Sequence, residues 1–90
     1  MSERKVCVVT GSSSGIGAST ARLYASRGWD VVVNFSREAA PADAVAAQCR
    51  ELGAQAVGFA LNVTDRAAVD AMVAAVKEQF GRIDVLVNNA

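Results

Sequence analysis

The chain has 90 residues, below the roughly 100–200 of a typical domain, so it can hold one domain at most. Hydrophobic residues make up 52% and charged residues 20%, which fits a folded core and excludes a disordered or fibrous chain. Nine basic side chains balance nine acidic ones with no basic run, leaving no electrostatic case for nucleic acid or an anionic membrane; the absence of histidine excludes Ser-His-Asp and Cys-His sites and any His-ligated metal within these residues.

The chain opens Met1-Ser2-Glu3-Arg4-Lys5 and passes directly into an apolar run, so no secretory signal peptide is expected. Residues 5–10 (KVCVVT) are β-branched and apolar at consecutive positions, as in a strand buried on both faces. A Gly/Ser loop follows at 11–15. From residue 16 to 27 the period becomes helical, with Ile16, Thr20, Leu23, Tyr24 and Arg27 on one face and Gly28 as a stop. Asp30–Phe35 (DVVVNF) is a second buried strand, and a loop over 36–41 places Pro41 in the first turn of a second helix. Ala42, Val45, Cys49 and Leu52 form that helix's apolar stripe, closed by Gly53. Residues 55–61 (QAVGFAL) are the third strand. Thr64 is the expected N-cap of a third helix, with Asp65 in its first turn, and Val69, Met72, Val73, Val76 and Phe80 form its stripe. Gly81 ends that helix, and residues 83–88 contain a fourth strand. No apolar run is long enough to span a bilayer. Cys7 and Cys49 read as buried small hydrophobes, which suits a reducing cytoplasm.

The order β-α-β-α-β-α-β implies an α/β fold, the N-terminal half of a Rossmann-like, doubly wound parallel sheet. Right-handed crossovers give strand order 3-2-1-4, with two helices on one face and one on the other. The ligand crevice then lies at the carboxyl ends of strands 1 and 4, where the winding reverses.

Residues 10–17 (TGSSSGIG) join the first strand to the first helix with the spacing G-x-x-x-G-x-G. Gly11 allows a sharp turn off the strand. Gly15 leaves no side chain where a pyrophosphate would approach the backbone, and Gly17 lets the helix pack close to the sheet. The free N–H groups at the helix start favour a phosphate, and Ser12, Ser13 and Ser14 add hydroxyl donors. A strand before and a helix after make this a dinucleotide-binding context, and the lack of Gly-Lys-Ser/Thr excludes a P-loop.

Together with Asn88-Asn89-Ala90 at the end of the fourth strand, this loop makes the sequence resemble the N-terminal part of a short-chain dehydrogenase/reductase of the compact branch. The resemblance covers the whole chain. It implies that Gly11, Ser12, Ser13, Ser14, Gly15, Ile16 and Gly17 hold cofactor pyrophosphate and ribose, Ile16 through its backbone N–H. It places Asn88 and Ala90 on the cofactor side, Asn88 also tying the central strands together. NAD-preferring relatives have an acidic residue at the end of the second strand; here the position is Asn34 or Phe35. Ser36 and Arg37 follow, a hydroxyl and a guanidinium suited to a 2′-phosphate, so NADP is expected over NAD. Asn62 stands where relatives have an Asp for the adenine amino group, and Val63 supplies a backbone contact.

Catalysis in the family resembles hydride transfer assisted by Tyr-x-x-x-Lys and a Ser. The only tyrosine, Tyr24, is followed four residues later by Gly28, and the lysines are Lys5 and Lys77. No catalytic residue and no metal ligand is therefore assigned. Residues 1–90 are expected to be a partial NAD(P)-binding domain, truncated after the fourth strand and marginally stable alone. The intact parent would reduce a small carbonyl or acyl-thioester substrate with NADPH, and would be the form that assembles into a homo-oligomer. The VNFSR segment at 33–37 and the Ala-rich second helix are most similar to 3-oxoacyl-[acyl-carrier-protein] reductases and acetoacetyl-CoA reductases. The alternatives are a non-catalytic nucleotide-binding module and a non-functional fragment.

Overall fold

Every side chain of β1 (Val6–Val9) is buried, because helices cover both faces of the strand. The structure is a computed structural model that describes residues 4–12, 15–36, 39–61 and 64–88. Six further elements follow: α1 (Gly15–Ser26), β2 (Asp30–Phe35), α2 (Ala39–Glu51), β3 (Ala56–Ala60), α3 (Arg66–Phe80) and β4 (Val85–Val87). The four strands form a parallel sheet of order β3-β2-β1-β4, as expected from the crossovers.

Strand alternation divides the core in two. Cys7, Val9, Val31 and Val33 face α1 and α2, where they meet Ala18, Ala21, Ala25, Ala42, Val45, Ala46 and Cys49. Val6, Val8 and Val32 face α3 and meet Met72, Val76 and Leu61. The first layer is built from small side chains, so its helices lie close to the sheet. In the second, α3 reaches the sheet mainly through Met72 and Val76, whose burial stabilises by about 1.5–3 kcal/mol each. Leu86 of the edge strand β4 points to this same face and is half exposed.

Four local expectations need correction. The buried face of α1 is Gly17, Ala18, Ala21 and Ala25, not the row of larger side chains: Ile16 and Leu23 are exposed. Close contact with a valine-lined sheet selects alanine there. In α2, Leu52 lies past the end of the helix and is exposed, while Ala46 joins the stripe. The same helix begins at Ala39, two residues before Pro41, which still sits in the first turn. The N-cap of α3 is Asp65 and not Thr64, because the Asp65 carboxylate accepts from the Ala68 N–H at 3.2 Å, three residues on. The stop is as expected: Gly81 adopts φ 86° and donates its N–H to Lys77 O at 2.8 Å.

Candidate functional site

The carboxyl ends of β1, β2 and β4 converge on the turn after β1. The Thr10 N–H donates to Val87 O at 2.9 Å, continuing the β1–β4 ladder. Its hydroxyl donates toward Val87 O and Asn88 Oδ1, each at 3.3 Å. Asn88, itself exposed, thus helps tie the end of β1 to the end of the edge strand β4.

Gly11 turns off the strand with φ 59°. Ser12 then folds inward and is fully buried. Its hydroxyl donates to Val9 O at 2.6 Å and accepts the Asn34 N–H at 3.0 Å. The expected role of Ser12 as a phosphate donor is therefore corrected: its one hydroxyl proton is spent inside the fold. Asn34 is also turned inward, at 2% exposure. Its Oδ1 accepts from the Gly11 N–H at 3.2 Å, and its Nδ2 donates to Phe59 O at 3.3 Å and Leu61 O at 3.5 Å. A cofactor cannot meet that side chain without displacing these bonds, which corrects the expectation for Asn34. At the end of β2, Phe35 is half-buried against the α1/α2 core and Ser36 is exposed.

Helix α1 begins at Gly15, again with φ 59°, and a Cβ there would meet nothing within 4 Å. The backbone of a helix N-terminus is thus approachable at a position where an L side chain is strained. No acidic residue stands in the first turn of α1 to oppose an anion. Ile16 is 77% exposed, and Gly17 is buried toward the sheet. The left-handed glycine with open space over its Cα, the acid-free helix start and the neutral strand ends fit a diphosphate. Ser13, Ser14, Arg37, Asn62, Val63 and Ala90 lie outside the described residues.

The remaining reactive side chains lie away from this edge. Tyr24 is partly buried and packs edge-on against Trp29, ring centroids 4.9 Å apart, beside the amino end of β2; Lys5 Nζ lies 5.4 Å from the Trp29 ring centre. Cys7 and Cys49 are buried free thiols. Burial pushes Cys7 up to about 12 and raises Cys49 as well, so both are unreactive at neutral pH. Among the described residues no cluster of metal-ligating side chains occurs, and no helix is long and apolar enough to cross a membrane.

The sequence singles out the glycine turn and Asn88 as candidates, but does not reveal that Asn34 and Ser12 bond to each other and to the strand ends. Strand alternation was the available signal: residues 30, 32 and 34 share a face, so a polar residue at 34 in a fully buried strand must find its partners inside.

Comparison with known proteins agrees with this architecture. A family model described as short chain dehydrogenase matches residues 5–90. The chain is 43% identical over 86 residues to a 3-oxoacyl-[acyl-carrier-protein] reductase of Synechocystis, covering 96% of this chain and 35% of that protein. It is 46% identical over 86 residues to the cis-4-hydroxycyclohexanecarboxylate dehydrogenase of Sinomonas cyclohexanicum, covering 96% and 34% respectively. Among solved structures, a Burkholderia xenovorans protein classed with the short-chain dehydrogenases/reductases superposes with a TM-score of 0.94 at 40% identity, over 100% of this chain and 37% of its own. A Burkholderia cenocepacia protein classed as a dehydrogenase, solved with bound NADP, superposes with a TM-score of 0.89 at 33% identity, over 94% of this chain and 33% of its own. The chain spans about a third of the length of the curated relatives it matches. It belongs to the short-chain dehydrogenase family.

Proposed function

We propose that this chain is the dinucleotide-holding part of an NADP-dependent oxidoreductase that reduces a carbonyl or 3-oxoacyl substrate. The observation that carries the reading is the left-handed Gly15 at the acid-free start of α1, open above its Cα and set beside the strand ends. When bound, the nicotinamide cofactor supplies a hydride. This chain's own residues bind and orient it. The backbone N–H groups at the start of α1, from Gly15 through Gly17, would take the pyrophosphate, and Asn88 would border the crevice from β4. Asn62, Val63 and Ala90 remain candidates for the adenine and nicotinamide sides.

Preference for NADP rests on the end of β2. With Asn34 turned inward, Phe35 stands at the position that would carry the acid of an NAD-type site, and Ser36 is exposed beside it. No carboxylate at 34–37 opposes a 2′-phosphate, and Arg37 supplies a guanidinium two residues after Phe35. A charge-assisted bond of this kind is worth about 1.5–3 kcal/mol, or roughly 10- to 150-fold in affinity. Reductase activity is proposed from the relatives named 3-oxoacyl-[acyl-carrier-protein] reductase.

Calorimetric titration of the chain with NADPH and NADH tests the reading. NADPH should bind at least tenfold more tightly, and Arg37→Asp should weaken NADPH while sparing NADH. Equal loss of both cofactors in that variant would contradict the role of Arg37, and no binding of either would contradict the site.

A further inference from the structure

We propose that Asn34 is a positioning residue, a buried amide clamp that holds the glycine turn after β1 at a fixed distance from the end of β3 and that works only while uncharged. Five hydrogen bonds carry this inference. The side-chain Oδ1 accepts from Gly11 N–H at 3.2 Å, and Nδ2 divides its two protons between Phe59 O at 3.3 Å and Leu61 O at 3.5 Å. The backbone of the same residue donates to Ser12 Oγ at 3.0 Å and accepts from Ser12 N–H at 3.1 Å. One residue thus grips the first two residues of the turn on one side and the exit of β3 on the other. Among the described residues, no buried side-chain polar atom lacks a partner.

The pattern demands both an acceptor and donors in one short side chain, which asparagine supplies. A carboxylate of the same shape keeps the Gly11 bond but turns acceptor oxygens toward two carbonyl oxygens, with almost no solvent to compensate. Burial and those carbonyls would raise the pKa of an introduced carboxyl. Protonated, it donates one O–H to a carbonyl and the clamp persists. Ionised, it repels the β3 end and the turn loses its support. The clamp deepens the proposed nucleotide site, because the turn it holds leads into the start of α1.

The test compares the chain with Asn34→Asp and Asn34→Ala from pH 5 to 8. One readout is NADP+ affinity, expressed as a ratio to the unmodified chain at each pH so that the 2′-phosphate's own titration cancels. The second is hydrogen exchange of the Gly11 amide. For Asn34→Asp the affinity ratio should fall about tenfold or more as pH rises, with Gly11 exchange accelerating over the same interval. For Asn34→Ala it should be low at every pH. A pH-independent ratio and pH-independent Gly11 protection in Asn34→Asp would overturn the clamp. A third readout needs no variant and covers the case in which neither folds. The Asn34 side-chain amide protons of the unmodified chain should exchange at least tenfold more slowly than those of the exposed Gln79, and equal rates would also overturn it. If the unmodified chain binds no NADP+ while Gly11 exchange still follows pH in Asn34→Asp, the nucleotide reading fails and the clamp stands.

Discussion

Strand β2 carries a buried polar side chain at each end, and the two ends are held by different chemistry. At the amino end, Asp30 is 1% exposed and its Oδ1 accepts from Arg4 Nε at 2.7 Å and from Gln55 N–H at 2.9 Å. Arg4 also donates to Trp29 O at 3.3 Å. At the carboxyl end, Asn34 makes comparable cross-strand bonds with no charge at all. Both residues solve the same problem, satisfying backbone groups of neighbouring strands where the ladder stops. A buried carboxylate is tolerated only where a guanidinium faces it, and that pairing closes the amino end. At the carboxyl end a neutral amide leaves the positive start of α1 uncompensated and available to an anion. The charged end secures the sheet; the neutral end leaves the start of α1 without a counter-charge.

The largest effect expected from breaking this comparison lies at the amino end. Asp30→Ala leaves the Gln55 N–H without its side-chain acceptor and removes the carboxylate that faces Arg4, and should cost about 2–4 kcal/mol by urea denaturation. Next comes Asn34→Ala, about 1–3 kcal/mol by the same measurement, since it removes bonds to neutral groups only. Gly15→Val should separate function from stability most clearly. It forces a β-branched residue into φ 59° at a cost of about 1–2 kcal/mol and fills the open space over the turn, so NADPH affinity should drop more than tenfold while the sheet persists.

The smallest effect concerns pH. Asp84, before β4, is bonded to Arg82 at 2.6 and 2.9 Å and accepts the Val6 N–H at 2.8 Å. The Arg82 bond first, then the Val6 N–H, and then the charges of Arg82 and Lys5 hold its carboxyl below the ordinary 3.8. A depressed folded-state value means that the stabilisation is fully present above the ordinary value and is lost as pH falls through the folded one. Asp84→Asn should therefore lower stability slightly at neutral pH and leave it nearly unchanged at the acid end, so that the acid limb of a stability-versus-pH curve flattens, measurable by thermal melts between pH 2 and 7.

The strand order and the helix stops were legible in the sequence because they depend on local chemistry: β-branched runs, glycines at fixed spacing, and the handedness of crossovers. The buried face of α1 was not. Period reading favours large apolar side chains, and Ile16 and Leu23 outweigh alanine there, whereas helix–sheet contact selects the Ala18, Ala21 and Ala25 row. Within the site, residue types were legible and directions were not. Ser12 and Asn34 are polar residues beside a phosphate-type loop, and sequence alone presents both as ligands. Their inward orientation comes from two chain segments 22 positions apart meeting across the sheet, a tertiary fact. With Asn34 turned inward and Phe35 packed on the core, Ser36 is the exposed position at the end of β2.

The most direct test of the central claim is a titration of the ¹⁵N-labelled chain with NADP+, followed by amide resonances. Shifts concentrated at Gly11, Gly15, Ile16, Gly17 and Asn88, with the amino-end amides of Val6, Trp29 and Gln55 unmoved, are the predicted result. Shifts centred on the Trp29 end, or no saturable shifts at the glycine turn, would contradict the assignment of that turn as the nucleotide site.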